Sequence, residues 1–103
     1  MASIQLKIID EGLKADQHSF VDLLRLTLLD HDIYIADNAE YTFKVKFVVD
    51  DGHEKVLLLV RESETKQKVS EDVILYFPEK WISKAAKLGT EMIVDALEGA
   101  TVQ

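Results

Sequence analysis

The chain of 103 residues contains no cysteine, one proline and four glycines, and its Lys and Arg number 12 against 19 Asp and Glu. Without cysteine there is no disulfide, no thiol nucleophile and no thiolate metal site, so neither stability nor activity depends on redox state, and the compartment is left open. The glycines, Gly12, Gly52, Gly89 and Gly99, form no phosphate-cradling loop of the dinucleotide or P-loop kind, which argues against nucleotide cofactors. No run approaches the roughly eighteen apolar residues of a membrane span, and Met1 to Lys7 lacks a basic n-region followed by an apolar h-region. The chain as it stands is expected to be soluble, and cytoplasmic by default; a signal segment cleaved from a longer precursor would leave no trace. The net charge of −7 repels polyphosphates at long range, so nucleic acid is not an expected partner.

What is present is a globular composition, 48% hydrophobic and 30% charged. It is too apolar for disorder and long enough for one core between two layers. A single domain over residues 1–103 is expected. Between Tyr41 and Phe77 lie three apolar runs, Tyr41 to Val49, Val56 to Val60 and Val73 to Phe77, separated by short polar turns. They read as an antiparallel meander. Asp50-Asp51-Gly52-His53 makes the first hairpin turn, with Gly52 at positive φ, and Glu64-Thr65-Lys66-Gln67 makes the second.

Ahead of the meander, Ile4, Leu6 and Ile8 alternate with Gln5 and Lys7 in a first strand that stops at Asp10-Glu11-Gly12. A helix follows, capped at Ser19 with Asp22 three residues on, or one turn earlier at Asp16, and carrying the stripe Phe20, Leu23, Leu24, Thr27 and Leu28. Val21, Leu26 and Leu29 widen that stripe, so the helix is expected to be nearly engulfed, or to face both the sheet and a neighbouring element. Ile33-Tyr34-Ile35 is a short strand. After the meander, Pro78 suits the first turn of a helix in which Trp81, Ile82, Ala85, Leu88, Met92, Ile93, Ala96 and Leu97 recur at helical spacing, with Gly99 as C-cap. The order β-α-β-β-β-β-α belongs to a two-layer α+β sandwich: a mostly antiparallel sheet with two helices on one face, the first two strands parallel and joined right-handedly.

A sheet wet on one face should alternate cleanly, and this one does not. Val56 to Val60 is apolar on both faces, and the inward set Tyr41, Phe43, Val45, Phe47 and Val49, continued by Val73 and Leu75, leaves Val48, Ile74 and Tyr76 on the other side. One account is that Lys44 and Lys46 lay their stems over aliphatic neighbours. The other is that Val48, Leu57, Leu59, Ile74 and Tyr76 form a patch for a partner or a second copy.

Groups able to do chemistry are few. Asp30-His31-Asp32 offers metal-ligand types, but no fourth group is visible, and a helix C-terminal turn accounts for them. Asp50, Asp51 and His53 are accounted for by the hairpin. Ser19 beside His18 has no nucleophile elbow around it and is better placed as a cap. Tyr41, Phe43, Phe47, Phe77 and Trp81 are expected in the core. Lys7, Lys44 and Lys46 could share the outward sheet face with Tyr34 or Tyr76 in the manner of RNA-binding sheets, but the glycine-aromatic signature is missing and the domain is acidic. No catalytic, cofactor or metal site is expected.

The run from Leu23 to Asp37, followed by Ala39-Glu40-Tyr41-Thr42-Phe43-Lys44-Val45-Lys46-Phe47, resembles a pattern of small bacterial envelope domains: a helix of aliphatic pairs, a short turn, one strand, then a segment of the type Ala-x-Tyr-x-apolar-x-Val. These domains are the curli-secretion lipoprotein family, the lipoprotein activators of penicillin-binding proteins and the N-terminal domain of the Tol-Pal propeller protein. The chain departs from the lipoprotein members in having no lipid-bearing cysteine, and Glu11-Gly12-Leu13-Lys14 stands where a glycine-rich opening often follows their first strand. The resemblance implies a non-catalytic adaptor or assembly role and a periplasmic or envelope location. The expected function is a protein-binding or assembly module that uses a sheet face or strand edge; a small acidic inhibitor mimicking nucleic acid is the alternative.

Overall fold

A computed structural model describes residues 2–9, 17–77 and 80–101. The elements are β1 (Ala2–Ile9), α1 (Gln17–Leu29), β2 (Ile33–Ile35), β3 (Tyr41–Asp50), β4 (His53–Glu62), β5 (Lys68–Leu75) and α2 (Trp81–Thr101), in the expected α+β order. The strands form one five-stranded mixed sheet in the order β2-β1-β3-β4-β5. β1 is parallel to both of its neighbours, and β3, β4 and β5 make the antiparallel meander. β2 runs beside residues 2–4 and β3 beside residues 5–9, so the chain steps across β1 between them, tied by the Ala36 amide donating to the Ile4 carbonyl at 3.0 Å. The first hairpin is a two-residue turn with Asp51 and Gly52 both at positive φ, 53° and 76°, as a type I′ turn requires.

One face of the sheet is the core face. Ile4, Phe43, Val45, Phe47, Val56, Leu58 and Val60 are buried there under Phe20, Leu24 and Leu28 of α1 and Trp81, Ala85, Ala86, Met92, Ile93 and Ala96 of α2. The Trp81 indole is the junction: its ring centroid lies 5.3 Å from Phe20, 5.0 Å from Phe47 in an edge-on contact and 6.1 Å from Tyr76. Such aromatic pairs add directional energy to area burial. Where α2 crosses β3, Gly89 lets the helix backbone rest on the Phe43 ring.

Several sequence expectations are corrected. Helix α1 begins at Gln17, so Ser19 lies, exposed, within its first turn rather than at the cap; Asp16 and Pro78 fall outside the described residues. Of the two expectations for α1 the first fails and the second holds: it is not engulfed but faces both the sheet and α2 through one stripe, and Leu26 is left at 63% exposure with no further described element over it. Gly99 lies inside α2, and Gly52 is the only described glycine at positive φ. Val49 is 72% exposed, since the β3–β4 hairpin carries it to the strand end, away from the helices. Phe77 is exposed too, with the Lys84 ammonium 5.9 Å from its ring.

The phase of β5 is also reversed. Ile74 pairs with buried Val56 and, with Tyr76, packs against the core, whereas Val73 and Leu75 point outward at 47% and 52% exposure. A five-residue run without a polar member carries no parity of its own, so the contact of Tyr76 with Trp81 sets it.

The close approach of α2 to β3 yields a paired test. A Cβ at Gly89 would stand 2.5 Å from Phe43 Cζ, whereas one at Gly99 meets nothing within 4 Å. Gly89→Ala is expected to destabilise by about 1–3 kcal/mol through overpacking. Gly99→Ala is expected to stabilise by about 0.5 kcal/mol through helix propensity. Urea unfolding of the two variants checks this, and shifts of the same sign would contradict the helix–sheet contact described.

Candidate functional site

The groups with chemical potential stand apart from one another. Asp30, His31 and Asp32 are exposed in the turn ending α1, where the His31 and Asp32 amides donate to Leu28 and Leu29 carbonyls at 2.9 and 3.0 Å. His53 is exposed at the start of β4. Among the described residues no three His, Asp or Glu side chains converge on a point that could hold a cation. Beside the second hairpin, Glu40, Glu62, Ser63, Glu64, Thr65 and Lys66 line an open polar cleft of about 700 Å³. In it Thr65 Oγ1 donates to Glu62 Oε2 at 2.7 Å and accepts from the Gln67 amide at 3.2 Å. That hydroxyl is spent on closing the turn, with no third group to make it a nucleophile.

The feature with the widest reach is the sheet face turned away from both helices. Alternation along each strand and the pairing register put its side chains in rows. Gln5, Thr42, Arg61 and Lys68 form the first; Lys7, Lys44, Leu59 and Glu71 the second; Ile9, Lys46, Leu57 and Val73 the third; Val48, Lys55 and Leu75 the fourth. Six of the chain's 12 Lys and Arg thus share one face with a single described carboxylate, Glu71, which is bound to Lys68 at 3.2 Å. Lys7, Lys44, Lys46 and Arg61 make no ion pair among the described residues. The aliphatic members, Leu57, Leu59, Val73, Leu75 and Val48, lie together beside these cations.

Electrostatics at Lys44 report the crowding. Burial pushes its ammonium below the ordinary lysine value of 10.5, and the nearby charges of Arg61, Lys7, Lys46 and Lys66 push it the same way. Tyr41, on the opposite face, is raised above 10.0 by burial and then by Glu40 and Glu62. Thr42 Oγ1 and Ser63 Oγ are 2.8 Å apart, and Arg61 Nε is enclosed beside them in the register with no acceptor among the described residues.

Of the candidate contact residues, Val48, Leu57 and Leu59 stand together on this outer face. Ile74 and Tyr76 are on the core side, half-buried against α2. Lys44 and Lys46 stand directly across from Leu59 and Leu57, and all four are half-buried. Tyr34 is on the outer side at the β2 edge, and Tyr76 is not. Sequence reasoning missed Lys55 and Arg61, whose parity with Leu57 and Leu59 along β4 was there to be read. It also missed Val73 and Leu75, for which no local signal existed.

No family model matches the chain, and no curated protein is similar to it in sequence. Among solved structures, it is similar to TolB from Acinetobacter baumannii. The TM-score is 0.63 over 96% of this chain and 29% of that one, at 11% identity. Rare lipoprotein B from Shewanella oneidensis matches over 97% of this chain and 96% of that one, at 11% identity and a TM-score of 0.43. The chain therefore spans under a third of the TolB chain, and the likeness is one of fold. The resemblance to the Tol-Pal propeller protein drawn from residues 23–47 is met at that level.

The like-charge field makes a pH prediction. With its folded value below 10.5, Lys44 holds its proton less tightly in the folded chain than in the unfolded one. It therefore opposes folding at low and neutral pH, and the opposition fades as pH climbs towards 10.5. Lys44→Met is expected to be more stable than the parent near neutrality, with the gap narrowing towards that pH in urea titrations. A gap that widens would show that Lys44 is not disfavoured by its surroundings.

Proposed function

We propose that the chain is a non-catalytic protein-binding or assembly module that meets its partner through the outer face of its sheet. The observation that supports this most is the half-open aliphatic cluster Leu57, Leu59, Val73 and Leu75, held on paired strands with no described element over it. Apolar groups gathered on a flat, pre-ordered surface can be covered by a partner with little further ordering, which is what makes such faces effective for binding. The separation of His31, His53 and the hydroxyl groups supports a role without catalysis. The fold likeness to TolB, with the sequence resemblance to envelope domains, supports a bacterial envelope setting.

A nucleic-acid mimic would need its carboxylates ranged along one surface. The exposed positions of α2 carry Lys84 and Lys87 as well as Glu91, Asp95 and Glu98, so its carboxylates do not form an unbroken acidic row, and nothing favours that reading.

Photo-crosslinking tests the proposal. A cross-linking side chain in place of Leu57 is expected to give a discrete protein adduct in the cell of origin, while one in place of Lys87 on α2 gives none. Leu59→Lys should abolish the adduct with the melting temperature changed by only a few degrees, as for a half-exposed site. By contrast, Tyr76→Ala should destabilise by about 2 kcal/mol, because its ring packs on Trp81. Equal yields from Leu57 and Lys87 would refute the assignment of the face.

A further inference from the structure

We infer that the outer sheet face takes an acidic amphipathic protein segment, whose carboxylates meet Lys7, Lys44, Lys46 and Arg61 while its aliphatic side chains lie on Leu57, Leu59 and Val73. The inference rests on the reading of this face as a contact surface and names the chemistry of what it contacts.

Charge segregation carries it. In a chain with net charge −7, four cations cluster on one face with no carboxylate paired to them among the described residues. Uncompensated like charges oppose folding, and incoming carboxylates would relieve that repulsion and speed association. Neighbouring strands set side chains about 5 Å apart, and alternate residues along a strand about 7 Å apart. The cation column of Lys7, Lys44 and Lys46 therefore runs within one side chain's reach of the Leu59–Leu57–Val73 strip. A segment alternating acidic and aliphatic residues fills both at once.

The same charges decide against other occupants. Two copies of the chain meeting face to face would press Lys44 and Lys46 against their equivalents, so self-association through this face is disfavoured. Single-stranded nucleic acid draws much of its affinity from stacking on aromatic rings, and the described face offers Tyr34 alone, at its edge.

The test uses the isotopically labelled full chain in NMR titrations against three peptides of about twelve residues, enough to cross the sheet, alternating Leu with Glu, Ser or Lys. Two further probes are a single-stranded DNA oligonucleotide and phosphatidylglycerol vesicles. The Leu/Glu peptide is expected to bind at least about tenfold more tightly than the other two peptides, with shifts confined to β1, β3, β4 and β5. Lys44→Gln with Lys46→Gln should remove most of that preference while the melting temperature holds or rises, and about 0.5 M salt should weaken it similarly. Equal binding of the Leu/Ser peptide to the same face would overturn the acidic partner and leave the contact surface standing. No shift on this face with any peptide would overturn both. Tighter binding of the DNA or the vesicles than of the Leu/Glu peptide would overturn the assignment to a protein partner.

Discussion

Trp81 is the contact on which the rest of the structure depends. Its indole joins Phe20 of α1, Phe47 of β3 and Tyr76 just beyond β5, so one side chain links both helices to both ends of the meander. It also fixes which way the sheet faces. With Tyr76 drawn onto Trp81, Ile74 follows it inward, and Val73 and Leu75 are forced out. The outer apolar strip is thus a consequence of a core contact at the start of α2, not of any preference of Val73 or Leu75 for water.

A single helical layer covers only one face of a five-stranded sheet, and the chain meets the other face with long cationic side chains. Lysine suits that position, because its methylene stem shelters an aliphatic neighbour while its head stays wet. Lys44 across from Leu59 and Lys46 across from Leu57 are arranged in this way. Shelter alone does not require every long side chain on the face to carry the same sign, and mixed signs would give favourable cross-strand pairs. The near-exclusive use of cations in a chain with more acidic than basic residues therefore asks for a cause outside folding. A partner bearing carboxylates supplies one.

Element order was legible in the sequence because the chain's punctuation is strong. Asp51-Gly52 can only turn tightly, Ile4-Leu6-Ile8 alternate, and the spacing from Trp81 to Leu97 is helical throughout. The sheet order β2-β1-β3 was not legible, since it turns on residues 36–40 stepping across β1, and Asp37-Asn38 signals a break without a direction. For α1 the spacing placed Phe20, Leu24 and Leu28 on one stripe but left open whether Leu26 and Leu29 met a further layer; the tertiary arrangement decides it, leaving both exposed. Half of the candidate surface could be read from β4, where Leu57 and Leu59 share parity with Lys55 and Arg61. The other half belongs to β5, whose phase is set by a tertiary contact with no local trace.

The sheet's edges bear on the choice between a face and a strand edge as the contact surface. β2 offers three residues, too few for a partner strand to pair along. β5 is longer, but a register irregularity opposite Val60 and Arg61 interrupts it, and Lys68, Glu71 and Asp72 set charges along it. Bulges and charged residues are the devices by which proteins keep free edges from pairing. Among the described residues no comparable guard covers Leu57, Leu59 and Val73; Lys46 and Lys44 stand across from the two leucines. Edges guarded in this way, with an aliphatic strip left open between them, favour the proposal that the face, rather than a strand edge, is the contact surface.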